Sequence, residues 1–291
     1  MTPVEARAAA GARTAVVLTH SAPRDTDAAL RAAASAAERA GCRLYAPAEE
    51  LAEDGAVAGV EGTETLPESP DLCLALGGDG TILRGLREYL GTDVPVFGIN
   101  FGTVGFLAAV EADELESGLR RAFDGEYETI SLPALGVDVD VDRPRALNDV
   151  SFTRRPHSRV AELSYRLGGQ EVGHVRCDGL VAATPAGSTG YNLANNGPIL
   201  AWGVEGYVVS FVAPHTLTAR ALVVAPDDVL HVRNEGDWDG VDLALDGNHV
   251  GGLAPGEEVE ISFADNVARL AQLPGSNFYR RVREKFGQLA H

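Results

Sequence analysis

Residues 72–81 read Leu72-Cys73-Leu74-Ala75-Leu76-Gly77-Gly78-Asp79-Gly80-Thr81. Five apolar residues in a row suit a strand buried on both faces. Two glycines break the run, and a helical pattern follows to about Leu90. Strand, glycine turn and helix in that order predict one unit of a parallel sheet with helices on its faces. The glycines let a backbone approach an anion, and the first turn of the helix offers N–H groups with no intrahelical partner. Asp79 does not bind phosphate by itself. It suits taking a proton from a hydroxyl, holding Mg²⁺, or both; a plain helix cap is the lesser reading, made smaller by the buried strand before and the helix after.

The same rhythm continues on both sides. Thr14 to Thr19 reads as a short strand, Asp25 to Ala40 as an Ala-rich helix closed by Gly41, and Cys42 to Tyr45 as a second strand. Val94 to Ile99 is another strand and Glu111 to Phe123 another helix. These define an α/β domain with a parallel sheet over residues 1–128. Within it, the acidic, glycine-containing stretch Pro47 to Pro70 reads as a solvated loop or short helix, or as a mobile flap. After Glu128 the pattern shifts to short β-type runs: Gly136 to Val141, Ala161 to Leu167, Val172 to Arg176, Leu180 to Thr184, Tyr207 to Val212, Val229 to Val232, Val241 to Leu245 and Val259 to Phe263. Leu167-Gly168-Gly169-Gln170 reads as a hairpin turn. A β-rich, mostly antiparallel domain is expected over 129–270. A helix from about Asn277 to Leu289 lies in a tail, 271–291, expected to pack back on the first domain.

Composition narrows the function classes. The 291 residues carry a net charge of −18, which repels phosphate backbones and anionic bilayers. Neither a nucleic acid nor a membrane is an expected partner. No apolar run reaches eighteen residues, and Met1 to Arg13 lacks the pattern of a signal peptide, so a cytoplasmic protein is expected. Lys285 is the only lysine, so no GxxxxGK[ST] phosphate loop exists. Basicity carried almost entirely by arginine fits coding bias alone and, among so many acids, also fits work in concentrated salt, as in a halophilic archaeon. Cys42, Cys73 and Cys177 are too scattered for a disulfide framework or thiolate zinc site. The seven histidines show no metal-site spacing, and only His215 stands in a distinctive context.

Four further segments carry chemistry. Asn100-Phe101-Gly102-Thr103-Val104-Gly105-Phe106-Leu107 follows a strand and is either a ligand-facing loop or an ordinary glycine turn. Asn148-Asp149 pairs an amide with a carboxylate, fit for ribose hydroxyls or an adenine edge, and equally for a turn. Arg154, Arg155 and Arg159 form a basic island, suited to phosphate or to salt bridges with nearby acids. The richest stretch runs from Arg176 through Asp178 to Tyr191, a strand followed by a loop of hydroxyls and small residues. Its Gly187-Ser188-Thr189-Gly190 is not a nucleophile elbow, so Ser188 reads as part of a binding loop.

Together these segments resemble the NAD kinase family, across about Ala15 to Phe286. The resemblance rests on GGDGT at Gly77 to Thr81, NFGTVGFL at Asn100 to Leu107, and the Asn148-Asp149 pair. CDGLVAATPAGSTGYNLANNGPIL at Cys177 to Leu200 and PHTLTAR at Pro214 to Arg220 complete it. It implies an α/β domain followed by a β-rich one, and phosphoryl transfer from ATP or polyphosphate to the 2′-hydroxyl of the adenosine ribose of NAD. Mg²⁺ or another divalent cation, and a homodimer or homotetramer, are implied with it. By the resemblance Asp79 is the general base and Gly80 a backbone contact, with Gly77, Gly78 and Thr81 on phosphate. Arg84 matches a basic position of some members. Asn148 and Asp149 contact ribose and adenine, Arg176 and Asp178 flank the dinucleotide, and Thr189, Gly190, Tyr191, Asn192, Leu193 and Ala194 form the adenine-side loop. Ala186 and Gly190 depart from the usual TPTGSTAY, and Asn248 stands where members carry Gln. A non-catalytic dinucleotide sensor is the rival from another class, and a lipid or sugar kinase of the same superfamily is the nearer one. The intact GGDGT favours an enzyme, since a sensor has no need of Asp79.

Overall fold

The computed structural model describes residues 13–19, 23–51, 57–102, 105–142 and 144–287. The chain divides into two compact units, Met1–Ser131 with Val267–His291, and Leu132–Asn266.

The first unit opens with β1 (Thr14–Thr19), α1 (Pro23–Ala40), β2 (Arg43–Pro47) and β3 (Val60–Thr63). Next come β4 (Leu72–Leu76), α2 (Asp79–Glu88), β5 (Pro95–Asn100), β6 (Val110–Glu111) and α3 (Leu115–Asp124). The strands β5-β4-β1-β2-β3 lie side by side, every pair parallel. Strand periodicity sorts the apolar residues. Leu72, Leu74 and Leu76 join Ala33, Ala37, Leu119 and Phe123 of α1 and α3 in one buried cluster. On the opposite face the small Cys73 lets α2 approach so closely that a Cβ on Gly85 would lie 3.1 Å from its Sγ. Three layers result, with every residue of β4 buried.

In this first unit two stretches differ from expectation. The stretch Pro47 to Pro70 contains a 3₁₀ turn, Ala48–Glu50, and the edge strand β3. Val57 and Val60 are buried in the core, and this anchors a strand too short and glycine-interrupted to stand out in sequence. The expected helix from Glu111 instead begins as β6 and a 3₁₀ turn, and α3 proper starts at Leu115.

The second unit is reached through β7 (Glu128–Val137), which starts earlier than the sequence suggests. It continues with β8 (Arg145–Ala146), β9 (Asp149–Arg154), β10 (Ala161–Leu167), β11 (Gln170–Cys177), β12 (Gly179–Ala183), α4 (Tyr191–Ala194), β13 (Tyr207–Val212) and β14 (Leu222–Val224). After these come β15 (Leu230–Asn234), β16 (Val241–Leu245), β17 (Asn248–Leu253) and β18 (Glu258–Gln272), then α5 (Phe278–Phe286). One antiparallel sheet has the order β14-β13-β12-β9-β16-β17, and a second runs β11-β10-β15-β18. Their inner faces share one core, in which Tyr165 and Phe211 pack with ring centroids 5.5 Å apart. Gly168 and Gly169 have φ of +54° and +76°, the left-handed pair a tight two-residue hairpin requires. β18 re-enters the first unit, where Arg269 to Ala271 pair with β5, and α5 belongs to that unit. Among the described residues no helix is long and apolar enough to cross a membrane, and the three cysteines are free buried thiols.

Candidate active site

In the first unit the site forms where β4 ends. The Gly77 N–H donates to the Ile99 carbonyl and its own carbonyl accepts from the Phe101 N–H, tying the turn to β5. Asp79 is the first residue of α2, and Gly78 is its N-cap. Space beside Gly78 and Gly80 is open, with no atom within 4 Å of where a Cβ would sit. Thr81 is buried.

The Asp79 side chain does not cap its own helix. Its Oδ2 accepts from the Phe106 N–H at 2.8 Å and its Oδ1 from the Leu107 N–H at 3.1 Å. Residue 105 must be glycine for this grip, since a Cβ there would lie 2.1 Å from Asp79 Oδ1. Each carboxylate oxygen keeps acceptor capacity beyond its one peptide bond. Asp79 is thus oriented and still able to take a proton. The segment Asn100 to Leu107 therefore works as the cradle of Asp79; Thr103 and Val104 within it lie outside the described residues.

Arg84 of α2 donates from Nη2 to Glu50 Oε1 at 2.5 Å and to the Thr19 carbonyl at 3.1 Å. Glu50 also accepts from the Thr19 N–H and hydroxyl. So the stretch after Pro47 supplies the acid that fixes Arg84, a partner the sequence left unmarked. Replacing Glu50 by Gln should lower unfolding stability by roughly 1–2 kcal/mol, a value discounted for the half-exposed Arg84. A urea midpoint equal to wild type would show that the pair contributes nothing.

In the second unit the candidates gather around one carboxylate. Asp246 Oδ2 accepts from the Leu147 N–H at 3.1 Å, and its Oδ1 from the Asn148 N–H at 2.6 Å and the Asp149 N–H at 3.1 Å. Asp246 sits at φ +49° in the β16–β17 turn. It fixes the Asn148-Asp149 backbone. Thr184 completes that grip: its hydroxyl donates to the Leu147 carbonyl at 2.6 Å and its N–H to the Asn148 carbonyl at 2.9 Å. The chain then comes so close that a Cβ on Gly187 would lie 1.9 Å from the Asn148 carbonyl oxygen.

Side chains of the following loop divide into buried and presented ones. Ser188 is fully buried and its hydroxyl bonds the Pro185 carbonyl and the Leu200 N–H, a structural role. Asn192 is also fully buried, and its Nδ2 donates to the Ser188 and Pro198 carbonyls. Thr189 bonds back to the Ala186 carbonyl. Gly190, Tyr191 and Ala194 are exposed, with Leu193 half-buried. Asp178 pairs with Arg154 at 2.7 Å, and Arg155 pairs with Asp242 at 2.9 Å, so these two members of the basic island make salt bridges. Arg176 is exposed and lies 3.2 Å from Glu162. Asn248 is exposed and its amide turns back to the Leu245 carbonyl.

Asp149 is the electrostatic outlier. Burial first, and the Asp246 charge second, push its pKa from an ordinary 3.8 up to about 7. The same carboxylate and Asp178 add to burial in raising the Tyr191 hydroxyl. A folded-state pKa above the unfolded one means stability falls as pH rises between about 4 and 7, and stays lower above. Asp149→Asn should therefore raise the urea midpoint at pH 8 and leave it unchanged near pH 4. Equal gains at both pH values would reject the assignment.

The α/β unit thus cradles one carboxylate after a glycine turn, and the β-rich unit presents a polar loop of small and hydroxyl residues. Models of the ATP-NAD kinase N-terminal and C-terminal domains match residues 44–127 and 147–273. A protein described as NAD kinase from Gemmatimonas aurantiaca is 36% identical over 236 residues, which cover 78% of this chain and 81% of that one. The solved structure of an NAD kinase from Archaeoglobus fulgidus in complex with ATP is 25% identical, with a TM-score of 0.71 over 94% of this chain and 97% of that one. Yeast NADH kinase complexed with NADH shares the fold at a TM-score of 0.84 and 21% identity, over 97% of this chain and 89% of that one. The chain belongs to the NAD kinase family.

Proposed function

We propose that the protein transfers the γ-phosphoryl group of ATP to the 2′-hydroxyl of the adenosine ribose of NAD, giving NADP, with Asp79 as the general base. The carrying observation is the grip on Asp79: two peptide N–H groups fix its carboxylate at the start of α2, beside open space over Gly78 and Gly80. Phosphoryl transfer depends on alignment, charge neutralisation and help in deprotonating the acceptor hydroxyl, with no covalent intermediate. Asp79 would take the hydroxyl proton as the oxygen attacks phosphorus and the bond to ADP breaks. Peptide N–H groups at the start of α2 would meet phosphate oxygens.

Among the described residues no three His, Cys, Asp or Glu side chains group as a metal cage. A donor set of one carboxylate still fits Mg²⁺, which is commonly shared between one or two carboxylates and substrate phosphates. When bound it would neutralise phosphate charge, and the Asp79 carboxylate, with acceptor capacity to spare, would hold it.

Asn148 and Asp149 are proposed to receive the ribose and adenine. A carboxylate kept buried at a cost in stability suits a ligand that donates hydrogen bonds to its ionised form. Tyr191 and the Thr189 to Ala194 loop would lie along the adenine, with Arg176, Asp178 and Asn248 at its margins. Assembly as a homodimer or homotetramer is proposed with it, and light scattering decides the number.

The test is NADP formation from NAD, ATP and Mg²⁺, read by an NADP-specific dehydrogenase, with polyphosphate as the second donor. Running it at low and molar KCl also tests whether the acidic composition reflects work in salt, since the Gemmatimonas relative is bacterial. Heat stabilisation by NAD without product would indicate a dinucleotide sensor. Neither product nor stabilisation would point to a lipid or sugar acceptor.

A further inference from the structure

The cradle of Asp79 is itself held from behind. Phe106, whose N–H grips the carboxylate, is almost fully buried. Its ring packs against Phe278 and Phe286 of α5 at centroid distances of 6.2 and 5.8 Å. The chain's one lysine, Lys285, places its Nζ 5.0 Å from the same ring centroid. Leu107, whose N–H supplies the second bond to Asp79, is anchored through its carbonyl. Gln272, 1% exposed, donates to it from Nε2 at 2.8 Å. Gln272 Oε1 in turn accepts from Arg281 Nη2 of α5 at 2.5 Å. The Arg281 guanidinium also lies within electrostatic reach of Asp79 and Glu111. A chain of contacts therefore runs from α5 to the carboxylate: Arg281 to Gln272, Gln272 to Leu107, Leu107 to Asp79.

Packing alone would not need this chain. Phe278 and Val282 already bury the inner face of α5. A buried glutamine aimed at one loop carbonyl, with an arginine fixing its other end, constrains where Leu107 stands and so where the Asp79 oxygens stand. We propose that α5 is a positioning element for Asp79, acting through the positioning residues Gln272 and Arg281 on the loop that grips its carboxylate. This rests on Asp79 being the base. Displacement of about 1 Å at a reacting group is enough to cost roughly 10²-fold in rate.

The experiment compares kcat and KM for NAD in Gln272→Glu, Arg281→Met and Arg281→Lys, alone and with Asp79→Asn. Glu at 272 still accepts from Arg281 but, when ionised, cannot donate to the Leu107 carbonyl. Gln272→Glu and Arg281→Met should each lose about ten- to a hundredfold in kcat, with KM within about threefold. Arg281→Lys, which keeps a donor, should recover most of the rate. Arg280→Met serves as control on the same helix: Arg280 pairs outward with Glu284 and its loss should leave kcat unchanged. Combined with Asp79→Asn, the two damaging substitutions should cost little further, because the carboxylate they position is gone.

Full kcat in both Gln272→Glu and Arg281→Met, beside a slow Asp79→Asn, would overturn the inference and leave the base in place. Loss confined to KM, or the same fold-loss on top of Asp79→Asn, would overturn it too. An Asp79→Asn enzyme at full rate would instead sink the base reading, and the inference with it. Thermal melting of each variant identifies one whose loss comes from unfolding, and the two chemically different substitutions keep the test decisive in that event.

Discussion

Asp79→Asn is expected to bind NAD with nearly wild-type affinity and to turn over roughly 10²–10⁴ times more slowly. The substitution is close to isosteric. The amide oxygen can keep one of the two peptide bonds, from Phe106 or Leu107, while the amide nitrogen faces the other N–H and cannot accept from it. The loop is loosened slightly, but the proton acceptor is removed outright. The loss should fall on kcat rather than KM, since a base acts only as the hydroxyl oxygen begins to attack. Thermal stabilisation by NAD, retained in the variant, would show that the binding groups are intact. A variant that keeps its full rate would reject the role of Asp79.

The second large effect is expected at Gly187. An alanine there would place its Cβ 1.9 Å from the Asn148 carbonyl oxygen and 2.3 Å from its carbonyl carbon. Both are backbone atoms, and the Asn148 carbonyl is already bonded by the Thr184 N–H. Nothing flexible can yield, so the turn Gly187–Thr189 and α4 must move away from Asn148-Asp149. Overpacking of this kind costs about 1–3 kcal/mol, and more where backbone is struck. Gly187→Ala should melt several degrees lower and bind NAD at least tenfold more weakly, a loss of about 1.4 kcal/mol or more. Its turnover at saturating NAD should fall far less than that of Asp79→Asn. Wild-type affinity would mean that the loop does not border the ligand.

What could be read in the sequence was what local chemistry decides. The buried strand Leu72–Leu76, the helix opening at Asp79 and the hairpin at Gly168-Gly169 follow from apolar runs and from glycine at positions that need it. The parallel sheet followed by antiparallel strands was legible for the same reason. Edge strand β3 was not, because Val60-Glu61-Gly62-Thr63 gains its order from neighbours and not from its own pattern. The candidate residues were named as a set, but their supports were hidden. Glu50, Asp246, Gln272 and Arg281 act on partners 34, 98, 165 and 9 residues away. Nothing in a glutamate after a loop proline, or a glutamine at the end of a long strand, announces such a partner. One signal was available. Arg84 sits half-exposed on a largely buried helix, and a guanidinium drawn partly out of water favours an acid beside it. The basic island at Arg154 and Arg155 illustrates the converse: its neighbours were abundant acids, and salt bridges claimed both side chains.

One phosphoryl group is expected to move to one particular hydroxyl. The most direct measurement follows the reaction of NAD, ATP and Mg²⁺ by ³¹P NMR with the purified wild-type chain. The expected result is a new phosphomonoester on the 2′-position of the adenosine ribose, formed one-for-one with ADP and absent from Asp79→Asn over the same time. A phosphoester on another hydroxyl, or ADP released with no phosphoester formed, would rule out this transfer.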